Sequence, residues 1–141
     1  IIEIKEVTMT LRSILLVLAI TITTGCTTLA DSVKGKGTGV SKTYNYSKED
    51  IWPLAVNAVN VSELELISSS KETGIILAQR GITAFSYGEN VAVFVDSESD
   101  NTCKVEVVSK RAMQTNVFAP DWSAKILNEI TYKLDEVAKV D

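Results

Sequence analysis

Apolar residues recur along this chain in two periods, and the periods alternate. In "SKEDIWPLAVNAVN", Ile51, Leu54, Ala55, Ala58 and Val59 fall at i, i+3, i+4, i+7 and i+8, the stripe of an amphipathic helix. Ser47 with Asp50 three residues later resembles a capping box. Pro53 sits awkwardly for a helix capped there, because a proline past the first turn removes a backbone bond. A helix capped by Asp50 keeps it inside the first turn, so the pattern predicts either that later start or a kink. The second helical stripe lies in "APDWSAKILNEITYKLDEVAKV", where Trp122, Ile126, Ile130, Leu134 and Val137 step by four, four, four and three. Pro120 and Asp121 stand at its start, where a first turn favours a proline and an acid.

Between the helices the period drops to two. "VSKTYNY" puts Tyr44 and Tyr46 on one face of a short first strand. "ELELISSS" sets Leu64 and Leu66 against Glu63 and Glu65. The turn "KETG" then leads into "IILAQRG", so the two runs read as a hairpin. "ITAFSYGEN" reads as a short extended piece with a glycine turn. In "VAVFVDS", Val91, Val93 and Val95 share a face, and after the turn "ESDN" so do Cys103, Val105 and Val107 in "TCKVEVVSK", opposite Lys104 and Glu106. "RAMQTNVF" continues or bends that strand. The order is β-α-β-β-β-β-α. Two helices with one apolar stripe each, and strands that mostly alternate, predict an α+β two-layer sandwich: an antiparallel sheet with both helices on one face.

The valine face leaves a residue over. If Val91, Val93 and Val95 meet the helices, Ala92 and Phe94 point to the side no helix covers, and Ile76 and Ala78 of the neighbouring strand are expected to join them there. Such a contiguous apolar surface is a candidate partner-binding site, or a small dry surface in the sheet centre, or one covered by the segment that precedes the first strand. Trp52 and Trp122 divide in the same way, as core anchors of their helices or exposed recognition aromatics.

Upstream of the domain, Arg12 is followed by an apolar run from Ser13 to Gly25, thirteen residues long. Crossing a bilayer takes about 20. A basic residue, a short apolar run and then small residues form the order of a secretory signal. Met9 is the expected initiator, and the acids in "IIEIKEVT" mark residues 1–8 as an upstream mis-called start. The run ends in "TTGC", which resembles the lipobox of bacterial lipoproteins, although Thr23 stands where leucine is usual. The resemblance implies a signal peptide over residues 1–25 and a lipidated Cys26 as the new N-terminus. Thr27 after it is not aspartate, which resembles the outer-membrane sorting pattern of Gram-negative lipoproteins. The chain is then expected in the bacterial cell envelope, at the outer membrane facing the periplasm and joined to it by its lipid.

Residues 26–42, including "TTLADSVKGKGTGVSK", are rich in glycine, serine, threonine and lysine and are expected to form a flexible tether. Sixteen such residues reach about 50 Å, so the domain could stand off the membrane. "GKGTG" lacks the spacing and the preceding strand of a phosphate loop. Residues 43–141 then form one domain. From about Thr43 to Leu134 the chain resembles a family of small bacterial lipoproteins of unknown function, in "YNYSKEDIWPLAVNAV", "GIILAQ", "GENVAVFV", "CKVEVVSKRA" and "FAPDW". The resemblance implies the α+β fold and brings no catalytic residues with it.

Composition narrows the chemistry. A net charge of −4 gives no electrostatic footprint for nucleic acid. The chain has no histidine, which excludes Ser-His-Asp and Cys-His arrangements and the usual zinc sites. Glu63 with Glu65 and Asp96 with Glu98 share strand faces, but such pairs are the ordinary solvated face or turn. "SESDN" lacks the spacing and glycine of a calcium loop. Cys103 reads as a small buried hydrophobe, since a reactive thiol needs a histidine or a positive setting. The expectation is a non-catalytic, membrane-anchored domain without metal or cofactor. It would bind an envelope protein or assist assembly. The alternative is a small-ligand or lipid binder using a groove between helices and sheet.

Overall fold

The computed structural model describes residues 4, 7–14, 27–84, 86–113 and 119–139. The chain is α+β, with helices packed on a five-stranded antiparallel sheet. A helical stretch, α1 (7–14), is exposed at every residue. There follow α2 (Leu29–Lys34), β1 (Val40–Tyr44), α3 (Lys48–Val61), β2 (Glu65–Ser70), β3 (Ile75–Arg80), β4 (Glu89–Ser99), β5 (Thr102–Arg111) and α4 (Trp122–Ala138). The sheet order is β1-β5-β4-β3-β2. Strands β2 to β5 form a meander, and α3 carries the chain from the β1 edge to the β2 edge.

Each element ends for a local reason. Ser47 caps α3, its hydroxyl accepting from the Asp50 amide at 3.2 Å. The helix therefore begins at Lys48, and the later start expected from Pro53 does not occur. Pro53 instead lies in the second turn on the exposed side, where the Glu49 carbonyl it leaves unbonded also belongs to an exposed residue. Asp121 caps α4 by accepting from the Ser123 amide at 2.9 Å. The β2–β3 turn needs Gly74, whose φ is +71° and whose missing Cβ would meet the Val95 carbonyl oxygen at 2.4 Å.

The main core lies between the sheet and the helix pair α3 and α4. Ile51, Ala55, Ala58 and Val59 of α3 and Trp122, Ile126, Leu127, Ile130 and Leu134 of α4 meet Val91, Val93, Val95, Cys103, Val105 and Val107. Burying each large side chain contributes about 1.5–3 kcal/mol. Tyr44 closes the β1 edge, its hydroxyl donating to the Leu127 carbonyl at 3.1 Å. Trp122 is buried and Trp52 packs partly against the same cluster, so both serve as helix anchors. Val137 departs from the expected stripe: it is exposed, one residue from the end of α4.

The opposite face carries a second, smaller core. Ala92, Phe94 and Val108 are buried there, with Val33 of α2 and Ile75 and Leu77 of β3 packed against them. The segment expected to be a flexible tether is thus ordered from Thr27 onward and lies on the sheet. Replacing Phe94 with alanine is expected to destabilise the fold by about 3–5 kcal/mol in chemical denaturation, the cost of a cavity in a closed core. A solvated Phe94 would lose far less.

Candidate functional site

The four residues expected to form an open patch do not form one. Ala92 and Phe94 do lie on the face away from α3 and α4, but Phe94 is only 1% exposed and Ala92 is fully buried. Ile76 and Ala78 lie on the other face. Partners in an antiparallel ladder share a face, and Ile76 pairs with Val93 and Ala78 with Val91, so both belong to the helix-side core. The residues that join Phe94 and Ala92 in β3 are Ile75 and Leu77, both half-buried.

What covers Phe94 is built from the glycine-rich segment itself. Thr28 precedes α2, and the Asp31 carboxylate accepts from its amide at 2.7 Å and its hydroxyl at 2.9 Å. Those two hydrogen bonds hold the Asp31 carboxyl below its usual range. Val33 then faces the sheet. Past the helix, the buried Glu106 carboxylate of β5 accepts the Gly37 amide at 2.6 Å and the Gly39 amide at 2.9 Å through one oxygen. Gly39 lies so close to β5 that a Cβ there would meet the Val107 carbonyl oxygen at 2.4 Å. Lys36 completes the cover, 5.1 Å from the centre of the Phe94 ring and 2.8 Å from Asp96.

The start of the segment is pinned to one end of the sheet. The Thr27 amide donates to the Ala112 carbonyl at 3.2 Å, its hydroxyl donates to the Arg111 carbonyl, and its own carbonyl accepts from the Asn90 side chain at 2.9 Å. The other end of the Asn90 amide accepts from Gln79 at 2.7 Å. The Ala112 amide donates to Gly88 at 2.9 Å, which ties the β3–β4 loop to the same end. A cleft of about 380 Å³ opens here, lined among others by Thr27, Leu29, Gln79, Arg80, Tyr87 and Asn90. Arg80 pairs with Glu63 at 3.1 Å and lies 5.4 Å from the centre of the Trp122 ring. Ile82 and Tyr87 of the loop are 79% and 57% exposed.

The remaining candidates are soon placed. Of the two acid pairs, Glu63 is held by Arg80 and Asp96 by Lys36. Among the described residues, no three of His, Cys, Asp and Glu come together in a way that could hold a metal ion. No described helix is long and apolar enough to cross a membrane. Cys26 lies outside the described residues. Cys103 is buried against the helices, and burial pushes its thiol up from 9.0 to about 11. The sequence reasoning gave no role to three features: the Thr28–Asp31 pair, legible as a short capping signal, the outward Glu106, and Ile82 and Tyr87. The chain matches no protein-family model and no curated protein.

Cys103 gives a direct check on the core. At mildly alkaline pH the native thiol is expected to resist alkylation and to react once the chain is unfolded. The unfolded thiol ionises from its ordinary 9.0 while the native one holds its proton to about 11. Stability is therefore insensitive to this group below about 9 and falls as pH rises from there towards about 11, measured by denaturation across that window.

Proposed function

We propose that this chain is a non-catalytic envelope lipoprotein, lipidated at Cys26 and facing the periplasm from the outer membrane, whose domain binds another envelope protein or assists assembly. One observation carries the anchor: an apolar run too short to span a bilayer ends in Thr-Thr-Gly-Cys. The structure supports that reading at the first described residue past the run. Thr27 is already hydrogen-bonded to the sheet, and α1 upstream is exposed throughout. Among the described residues, every core side chain lies past residue 25. Lasting attachment needs more than one acyl chain, which the lipoprotein modification supplies.

The absence of histidine supports a non-catalytic role. So do the ion pairs of Glu63 with Arg80 and of Asp96 with Lys36. The binding reading draws on exposed apolar side chains outside both cores, among them Ile67 on the edge strand β2 and Tyr132 on α4. Sheet edges are natural places for a partner to add. A ligand held between helices and sheet has less support, since Trp122, Ile51, Ile126 and Ile130 fill that space.

Mass spectrometry of the chain from bacterial membranes tests the proposal. The expected N-terminal peptide begins at Cys26 and carries a diacylglyceryl group and an acylated amine. Cys26→Ser is expected to leave an unprocessed chain without that mass. A native chain with an unmodified Cys26 thiol would overturn the anchor.

A further inference from the structure

The anchor and the fold together fix an orientation. An attachment point at Cys26 lies one residue before Thr27, so its Cα is about 3.8 Å from a residue that three hydrogen bonds hold on the sheet. No slack remains between lipid and domain. The expected 50 Å tether does not exist from Thr27 onward, because that chain is spent on α2, on the Glu106 contacts and on β1.

The end of the sheet beside Thr27 also has the chemistry of a surface that meets lipid. Ile82 and Tyr87 project from the β3–β4 loop with 79% and 57% of their surface free, and Met113 is exposed just past β5. The loop does not hang loosely: the Thr83 amide donates to the Ser86 carbonyl at 2.8 Å and the Gly88 amide to the Ser86 hydroxyl at 3.1 Å. Gly88 makes the close return possible, with φ +98° and no room for a Cβ against the Arg80 carbonyl. Ile82 and Tyr87 flank these contacts with their side chains exposed. Arg111 is exposed beside them, and with Lys110 and Thr27 it lines a shallow groove where a lipid phosphate could be met. The two turns at the far end of the sheet carry exposed Lys71, Glu72, Glu98 and Asp100, while the acids of the Thr27 end, Glu63 and Glu65, lie at its β2 edge.

We propose that the domain rests on the bilayer that holds its anchor, with the Thr27 end of the sheet facing the lipid and Ile82 and Tyr87 entering the interface. Tyrosine suits that layer because its ring is apolar and its hydroxyl can remain wet. The proposal rests on lipidation at Cys26 and adds the orientation. It leaves the polar turns of the far end pointing into the periplasm.

The test uses the full chain in living cells, with a photoreactive amino acid at position 82, 87 or 100. Phospholipid adducts are expected from 82 and 87 and not from 100. The mass of the N-terminal peptide, read on the same samples, separates the two claims. An acylated chain that gives only protein adducts at 82 and 87, or lipid adducts equally at 100, overturns the orientation and leaves the anchor. An unacylated chain without lipid adducts overturns both. Lipid adducts from 82 and 87 in an unacylated chain support the surface contact and remove the anchor. As a second variant, Ile82→Asp with Tyr87→Asp changes only exposed side chains, so it should fold, keep its acyl chains and lose lipid adducts from position 113.

Discussion

Strand β4, joined by Val108 of β5, carries apolar side chains on both faces, and the rest of the molecule follows from having to cover both. Every residue from Glu89 to Val95 is buried. The valines of one face meet α3 and α4, as in any sheet with helices on one side. Phe94, Ala92 and Val108 on the other face would leave a wet apolar surface unless something lay over them. A meander joined by short turns has no helix to spare for that face. The cover comes from the segment that enters the domain, and it is thin: one turn and a half of α2 and a run of glycines.

A thin cover works only by approaching closely. Gly39 lies against the β5 backbone where any side chain would collide, and Glu106 replaces the missing apolar contact with two amide hydrogen bonds from a buried carboxylate. Hydrogen bonds to a charged acceptor are stronger than neutral ones, which suits a contact made by so few atoms. Covering Phe94 in this way also settles where the chain enters. The segment runs from the Thr27 end of the sheet to the start of β1, so the position of Thr27 on the domain is a consequence of packing.

The helices were legible because their stripes are long and regular: Ile51 to Val59 and Trp122 to Leu134 fall in the core as their spacing implies. The valine faces of β4 and β5 were legible for the same reason. The β3 residues were not. "IILA" is apolar on both faces, so its pattern cannot distinguish Ile75 and Leu77 from Ile76 and Ala78, and only pairing with β4 assigns them. The covering segment was hidden by composition. Glycine and lysine favour a linker in isolation, while the contacts that order this one come from Glu106, 67 and 69 positions away in sequence. Glu106 itself looked like an ordinary outward charge in an alternating strand. The exposed loop residues Ile82 and Tyr87 belong to no periodic pattern, so spacing gave them no meaning until the fold placed them beside Thr27.

The most direct test of this account is amide hydrogen exchange of Gly37 and Gly39 in the full chain. If the entering segment is a layer of the fold, both amides are protected. Glu106→Ala then releases them while the amides of β4 and β5 stay slow. Exchange of Gly37 and Gly39 at the rate of an unstructured peptide in the unaltered chain, with the sheet protected, would contradict it. The segment would then be a tether after all, and Phe94 would lie open.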